Sequence, residues 1–357
     1  MPDRQARPAV EARDSLHIEQ ARTGDAEAWD AWVRRHPDAS VYHRWAWRGL
    51  VETVFGHDCH YWIARSGDAG VVGVLPVVRL RSHLFGDYAV SLPFANYGGA
   101  LARDDTVRAA MMDVAAQHAR RLGLSHVEFR DRAPIAGEWT ARTHKVLMWR
   151  DLPGDADTLW QGLGGKLRAQ VRRPEREGVS VVTGREELLP AFYRVFARNM
   201  RDLGTPVYRR RLFSEVLERF DDAFIVAVFE RRRPAAAGLL LPSGDRLEIP
   251  WASSLREYNR IGVNMLLYWR CLAAAIERGY RRFDFGRSTV DSGTYRFKRQ
   301  WGAEPVPCHW HYWLRRGGEP PSLSPDNPRF RLAIAAWQRL PVAVANLVGP
   351  SIVRNLP

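Results

Sequence analysis

The chain contains 357 residues, with 53 Lys and Arg against 40 Asp and Glu, which gives a formal net charge of +13. This length allows two domains with hydrophobic cores, and the composition excludes collagen, coiled coils and wholesale disorder. A positive surface favours anionic partners such as phosphates, nucleic acid or an anionic membrane face, although a high-GC coding bias enriches Arg in the same way.

The three cysteines, Cys59, Cys271 and Cys308, are widely spaced. They form neither a disulfide framework nor a metal-ligand set, which indicates a reducing compartment. The N-terminus lacks the apolar segment of a secretory signal, and no apolar run has the length of a membrane-spanning helix. We therefore predict a cytoplasmic protein without a metal site, and peripheral contact with the inner membrane stays open.

In chain order, a disordered lead (1–14) precedes a first α/β region that we predict over 15–150. Its predicted helices cover 26–35, 40–55 and 106–122. Its predicted strands begin at Tyr61 and continue at 75–78, 89–92, 127–130 and 144–150, and the last two are expected to complete a first sheet. A glycine turn at 96–99 leads to the third helix.

A second α/β region is predicted over 151–315. It opens with a basic helix that places Arg168 and Arg172 on one face, and Pro174 is expected to end that helix. Further helices are predicted at 188–202, 209–220 and 264–278. The tail (316–357) is apolar near its end but too short there to span a membrane, and we expect it to pack on the first domain rather than to lie in a membrane surface.

An internal repeat relates the two regions. Residues 119–123 are followed by the strand-like segment 127–129, and residues 275–279 are followed at the same spacing by 283–285. A strand-like piece with a proline precedes each copy at nearly the same distance. The pattern predicts one α/β unit that is used twice.

Polar side chains crowd the turn after the strand 283–285. Asp284 alternates with two phenylalanines, and Gly286 ends the strand where the backbone passes close to another group. Hydroxyl groups follow at Ser288 and Thr294, just beyond a strand end, where α/β folds place their sites. An ordinary capped surface turn is the alternative.

The sequence has no P-loop, no G-x-G-x-x-G turn, no G-x-S-x-G elbow and no H-E-x-x-H pair. His309 and His311 are expected to face opposite sides of a strand, which disfavours a metal site. A loop at 253–262 leads into a helix with Asn264 in its first turn, where free N–H groups and the helix dipole attract phosphate. This order is typical of acyl-CoA-type N-acyltransferases, although their R-x-x-G-x-G/A motif is degraded at 260–264.

The tandem unit resembles the Fem-type ligases of the GNAT superfamily, which transfer an amino acid from aminoacyl-tRNA to an amine of a peptidoglycan precursor. The resemblance lies in 92–99 (LPFANYGG), 166–173, 264–269 (NMLLYW), 283–288 (FDFGRS) and 293–298 (GTYRFK). The segments PFANYGG and FDFGRSTVDSGTYRFKRQWGAEP are similar to Fem-like proteins found with exosortase (PEP-CTERM) and exopolysaccharide systems. The long helical-hairpin arm of some Fem ligases is missing, which weakens the tRNA interpretation.

The resemblance implies two tandem GNAT-like domains with mixed sheets flanked by helices, and acyl-CoA or aminoacyl-tRNA as co-substrate with no tightly bound cofactor. Lys298 would stabilise the oxyanion, and Asp284 would orient or deprotonate the amine. Arginines would hold phosphates and aromatic residues would line the cleft, with core packing as the alternative for the latter. The predicted substrate-binding residues are Asn96, Tyr97, Lys166, Arg168, Arg172, Tyr208, Trp251, Asn264, Arg287, Ser288, Thr294 and Tyr295.

The hypothesis is an N-acyl or aminoacyl transferase that acts on an amine of a cell-envelope glycoconjugate precursor, related to peptidoglycan or exopolysaccharide, by direct attack on an activated acyl donor. A lipid-linked acceptor and tRNA as a partner both stay open. A catalytically degenerate GNAT-like module that binds an anionic lipid-linked sugar is the first alternative. Nucleic-acid binding rests on charge alone and is the second.

Overall fold

The computed structural model describes residues 16–82, 85–135, 137, 139–321 and 331–356. The lead predicted at 1–14 lies outside these residues. Two mixed β-sheets with flanking helices form the architecture, which confirms the predicted α/β class.

The first sheet has eight strands. In spatial order they are β1 (Leu16–Gln20), β2 (Asp58–Ser66), β3 (Gly70–Ser82), β4 (Gly86–Val90), β6 (His126–Asp131), β15 (His309–Leu314) and β7 (Thr140–Arg142), with β5 (Leu101–Ala102) paired to β3. Only β4 and β6 run parallel to each other, and the other described pairs are antiparallel. The helices of this half are α1 (Ala26–Arg35), α2 (Trp45–Phe55) and α3 (Asp105–Arg121).

The second sheet has seven strands. In spatial order they are β9 (Val179–Gly184), β10 (Phe224–Glu230), β11 (Arg233–Ser243), β12 (Arg246–Ser254), β13 (Arg282–Thr289), β8 (Lys145–Asp151) and β14 (Glu304–Pro307). Its parallel pair is β12 with β13. The helices of this half are α4 (Ala156–Gly162), α5 (Gly165–Arg176), α6 (Leu189–Leu203), α7 (Arg210–Arg219), α8 (Val263–Glu277) and α9 (Gly293–Arg299).

The repeat seen in the sequence is a repeat of structure. In each half, a strand of the parallel pair leads through one helix, α3 or α8, to its parallel partner. Gly123 and Gly279 follow these helices with φ angles of 74° and 79°, a left-handed conformation that glycine adopts without strain. The two segments that match in sequence therefore perform the same structural task.

The two sheets exchange one strand. The strand beside the parallel pair is β15, from late in the chain, in the first sheet, and β8, from the middle of the chain, in the second. The prediction that 144–150 completes the first sheet is wrong, because β8 pairs with β13 and β14. The alternating pattern of a strand does not specify which of two similar sheets it joins.

A hydrophobic core also crosses between the halves. Helices α2 and α7 pack against each other, with the rings of Trp47 and Phe220 5.9 Å apart. Phe213 and Trp251 belong to the same buried cluster. Burying a large apolar side chain stabilises a fold by about 1.5–3 kcal/mol, so the shared core and the exchanged strands both hold the halves together.

Helix α5 differs from its predicted form, because Pro174 lies inside it and the helix continues to Arg176. Proline has no N–H to donate to the carbonyl group of Gln170 four positions earlier. That carbonyl oxygen lies against Gly262, where an added Cβ would be 3.3 Å from it. Helix α5 therefore contacts the chain directly before α8.

The tail contains α10 (Arg331–Trp337) and α11 (Val342–Val353) and contacts both halves. In the first half, Tyr88 donates a hydrogen bond to the carbonyl of Asn355 at 2.9 Å, and in the second, Arg201 donates to the carbonyl of Leu340 at 2.6 Å. The proposed domain boundaries near 150 and 315 stay predictions. Within the described ranges, no helix combines the length and the apolar character needed to cross a bilayer.

Candidate active site

The central feature of the second sheet is a divergence of its two parallel strands. Strands β12 and β13 are paired only from Arg246 to Glu248 and from Arg282 to Asp284, and beyond these residues they separate. Glu248 and Asp284 are direct partners in the last paired position. Two carboxyl groups therefore lie side by side where the strands open.

Both carboxyl groups are buried and incompletely hydrogen-bonded. Asp284 accepts a hydrogen bond from the backbone N–H of Gly286 at 2.7 Å through Oδ1, whereas Oδ2 has no partner of good geometry among the described residues. Burial raises the pKa of Asp284, although the Gly286 amide and the Trp149 indole oppose this. Burial and the neighbouring Asp284 charge raise the pKa of Glu248 to about 8. Two negative charges this close repel, so the pair retains a proton at neutral pH.

The first half of the chain supplies the other wall of this site. Tyr42 donates a hydrogen bond to Glu248 Oε1 at 2.7 Å, and the Asn96 amide donates to the same oxygen at 2.5 Å. Asn96 also lies against Gly286, where a Cβ would be 3.1 Å from Asn96 Nδ2. Gly286 has a φ of 72°, so a side chain there would be strained as well as crowded. The site thus lies between the halves.

Lys298 holds the end of β13 in place. Its ammonium donates hydrogen bonds to the carbonyls of Gly286 and Arg287 at 3.0 and 2.9 Å. Burial lowers the pKa of Lys298 to about 8, and the Asp284 charge opposes this. With two N–H groups bound to the backbone, one remains for another acceptor. The predicted oxyanion role of Lys298 stays a prediction.

The start of α8 is free of side-chain caps. Gly262 precedes the helix in a left-handed conformation, and no acidic residue occupies the first turn. In α3, the corresponding helix of the first half, Asp104 caps the N-terminus by accepting from the N–H of Val107 at 2.9 Å, and Asp105 follows. Unbonded N–H groups at a helix start favour an anion, so α8 suits one and α3 does not.

The basic residues of α5 lie on a helix that packs against α8. Lys166 and Arg172 are exposed, Arg168 is half-buried, and the Arg172 guanidinium lies 5.1 Å from the ring of Trp160. Asn264 is half-buried in the first turn of α8. The predicted cationic face and the predicted phosphate-binding turn are therefore neighbours, but they are not in contact with the carboxyl pair.

The remaining predicted residues separate into two groups. Asn96, Tyr97, Asp284 and Lys298 belong to the site between the halves, since Tyr97 is buried beside Glu248 and Asp284. The others do not converge on the carboxyl pair. Trp251 packs edge-on to Phe213 in the shared core, and Tyr295 packs on the hydrophobic core of the second sheet. Thr294 is exposed and hydrogen-bonded to Ser292, whereas Ser288 is buried. Tyr208 lies near Arg287.

Sequence analysis missed Glu248, Tyr42 and Trp149 as site residues. The sequence did contain a signal for Glu248, because a carboxylate within an apolar strand is rarely buried unless it has a partner. Trp149 could not be found, because β8 was assigned to the wrong sheet. In the structure Trp149 is the cross-strand partner of Asp284.

The prediction that His309 and His311 face opposite sides of a strand is wrong. Residues two apart on a strand share a face, and the two rings lie 6.5 Å apart with nearly parallel planes. His311 is buried and bonded to Asp131 at 3.1 Å. Across the part of the chain that the structure describes, no group of three or more potential metal ligands is found.

A mixed sheet whose parallel central strands diverge beside an uncapped helix start is the arrangement of the GNAT fold, and the second half has it. The first half repeats the strand–helix–strand order with a capped helix. Residues 165–299 match the model of the acetyltransferase (GNAT) domain family. No curated protein matches the chain.

Solved structures share the fold at low sequence identity. FemX has a TM-score of 0.61 and 13% identity, over 89% of this chain and 100% of FemX. L-PGS from Bacillus licheniformis has a TM-score of 0.53 and 16% identity, over 90% and 99% of the two chains. A tandem GNAT protein from the clavulanic acid biosynthesis pathway has a TM-score of 0.50 and 14% identity, over 86% and 100%.

Proposed function

We propose that the protein is an N-acyltransferase whose active centre is the carboxyl pair Asp284 and Glu248. The observation that carries the proposal is the position of this pair, buried between the halves where β12 and β13 diverge. The GNAT match over 165–299 includes both carboxyl groups and the uncapped start of α8. Perturbed carboxyl groups in such a position are suited to proton transfer.

In the proposed reaction, the acceptor amine attacks the carbonyl carbon of an activated acyl donor. A C–N bond forms, the C–S or C–O bond of the donor breaks, and the thiolate or alkoxide leaves with the electron pair of that bond and then takes up a proton from water. The amine proton passes to Asp284, whose Oδ2 has no ordinary hydrogen bond. Glu248, whose Oε1 accepts hydrogen bonds from Tyr42 and Asn96, keeps the proton that the pair already holds at neutral pH.

Lys298 has two tasks in this proposal. It fixes the carbonyls of Gly286 and Arg287, which sets the direction of β13 after Asp284. Its remaining N–H would bind the oxyanion that forms on the donor carbonyl, a contribution that a fixed cation makes well in a buried site. Replacement of Lys298 by Ala should therefore lower turnover strongly.

The proposal also names the chemical class of the donor and of the acceptor. The uncapped start of α8 and the cationic α5 favour a donor with phosphate groups, which acyl-CoA and aminoacyl-tRNA share. The resemblance to Fem-type ligases favours an amine of a cell-envelope glycoconjugate precursor as the acceptor, at the inner face of the membrane. An exosortase or exopolysaccharide context rests on that resemblance alone.

The experiment that tests this function combines binding with turnover. Purified protein is heated with acetyl-CoA, longer acyl-CoAs or charged tRNA, and the best stabilising donor is then mixed with amine acceptors while free thiol or free tRNA is measured. The proposal predicts acyl transfer that Asp284→Asn abolishes without loss of donor binding. Donor-independent binding of an anionic lipid-linked sugar, with no transfer from any donor, would support the binding-module alternative instead.

A further inference from the structure

Two arginines contact the same indole ring between the halves. The guanidinium carbon of Arg287 lies 4.9 Å from the centre of the Trp310 ring, and that of Arg130 lies 4.7 Å from it. Trp310 belongs to the exchanged strand β15. The two like charges are therefore brought into one buried region, which requires compensation.

Arg130 has its compensation within the protein. Its Nε donates to Glu128 Oε1 at 2.7 Å, and its Nη1 donates to the carbonyl of Ala95 at 3.0 Å. The other oxygen of Glu128 accepts from the Tyr312 hydroxyl at 2.9 Å. Both oxygens of the nearest carboxylate are thus occupied.

Arg287 has no such partner. Its guanidinium makes no ion pair and no hydrogen bond with any described residue, and Nη1 is buried without an acceptor. Burial and the nearby Arg130 charge lower the pKa of Arg287 to about 10. The Glu128 charge is near enough to oppose this lowering of the pKa, but Glu128 forms no ion pair with Arg287. The residue as a whole is only half-buried, so the guanidinium lies close to the protein surface. A buried cation without a hydrogen-bonded counter-charge is unfavourable for folding, so the position is better suited to binding than to stability.

The surroundings indicate what would complete the site. The Tyr208 side chain is close enough for Arg287 and Arg130 to lower its pKa against the effect of burial, and the balance raises that pKa to about 12. Its hydroxyl therefore stays protonated and can donate a hydrogen bond. A guanidinium and a phenol together offer donors to an anion, and both oxygens of the nearby Glu128 are already bonded to Arg130 and Tyr312.

We propose that Arg287, with Tyr208 beside it, is an anion-binding site that receives a carboxylate or phosphate group. The site itself follows from the unpaired guanidinium, whereas its assignment to a substrate of acyl transfer rests on the function proposed above. The anion would then belong to the molecule that enters between the halves, because β13 carries both Asp284 and Arg287. One substrate of the enzyme would accordingly be acidic near its reacting end.

The test compares Arg287→Met with the wild type and uses Arg130→Met as the matched control. Thermal unfolding is measured with inorganic phosphate, with acetate, and with chloride at the same ionic strength. Without phosphate or acetate, Arg287→Met should raise Tm, because it removes a buried charge that has no ion pair. Arg130→Met should lower Tm, because it breaks the buried ion pair with Glu128. Phosphate or acetate should raise the Tm of the wild type but not that of Arg287→Met.

A phosphate-specific rise in the wild type would identify a phosphate group, and an acetate-specific rise would identify a carboxylate. The proposal is overturned if neither anion stabilises the wild type more than chloride does, or if Arg287→Met keeps the full effect. Arg287→Lys, which keeps the charge but loses the planar fork, should show a reduced anion effect and no rise in Tm. Because none of these measurements uses turnover, failure of the proposed acyl transfer would leave the result interpretable.

Discussion

The two halves of the molecule place a carboxyl group at the same point of the repeated fold but surround it with different neighbours. Glu128 and Asp284 are equivalent in the repeat, each on the later strand of a parallel pair. Beside Glu128 the earlier strand carries Val90, and beside Asp284 it carries Glu248. One carboxyl group thus has an apolar neighbour and the other has a second acid.

The residue two positions later extends the contrast, since it is Arg130 in the first half and Gly286 in the second. Burial opposes ionisation of Glu128, but the Arg130 charge and hydrogen bonds outweigh it and lower the pKa of Glu128. The pKa of Asp284 is raised by its burial. In the first half the carboxylate therefore forms a structural ion pair, whereas in the second half the carboxyl group remains available for proton transfer.

The exchanged strands place one aromatic residue beside each carboxyl group. Tyr312 of β15 is the cross-strand partner of Glu128, and Trp149 of β8 is the partner of Asp284. Each half therefore needs a strand from the other part of the chain to complete the surroundings of its carboxyl group. This gives the strand exchange a chemical consequence as well as a mechanical one.

The largest effect should follow from Asp284→Asn. The amide has the same shape but does not accept a proton, so the transfer rate should fall by about 10²–10⁴-fold, the usual contribution of a positioned general base. Turnover with saturating donor is the measurement. Glu128→Gln is the matched control and should lower stability while retaining turnover in the folded fraction. Equal loss of turnover in both variants, with both folded, would contradict the difference between the halves.

A smaller effect is expected in the pH dependence of stability. The folded-state pKa of Glu248, about 8, lies above the ordinary value of 4.5. Its contribution to stability is therefore fully present below pH 4.5 and is lost as the pH rises to about 8. Glu248→Gln should remove this loss, which we estimate at about 4 kcal/mol near pH 8. Denaturant unfolding at several pH values measures it, and an unchanged slope in the variant would exclude an elevated pKa.

The smallest effect concerns the two helix starts. Asn264→Asp would place a negative charge in the first turn of α8 and should weaken binding of an anionic donor by about 2–5-fold, corresponding to about 0.3–1 kcal/mol. Asp104→Ala, at the start of α3, should cost about 1 kcal/mol of stability and leave donor affinity unchanged. Calorimetric titration with the donor separates the two. Equal changes in donor affinity in the two variants would show that the donor does not bind specifically at the start of α8.

The sequence predicted the parts of the fold that depend on local pattern. The repeat and the helix before each later parallel strand follow from spacing and side-chain type. The prediction that Gly286 ends the strand is wrong, because β13 continues to Thr289 and the turn comes after it. The partner sheet of β8 did not, because strand pattern specifies which side chains are buried but not which of two similar edges the strand joins. Trp149 was lost from the site for that reason.

The site itself was predicted in part. Asp284, Lys298, Asn96 and Tyr97 are brought together, and their motifs indicated them. Glu248 was overlooked because a single charged residue in a strand has no partner visible in the sequence, and its role depends on pairing with a residue 36 positions later. Trp251 was placed in the cleft by its position, but the face of the strand directs it into the shared core.

The central claim is that the second half contains a carboxyl pair with raised pKa values and the first half does not. Carbon-13 NMR of the side-chain carboxyl groups, followed from pH 4 to 10 in the wild type and in Glu248→Gln, measures this directly. We predict a buried carboxyl resonance that titrates near pH 8 in the wild type and is absent from the variant. Titration of every carboxyl group below about pH 5 would contradict the account.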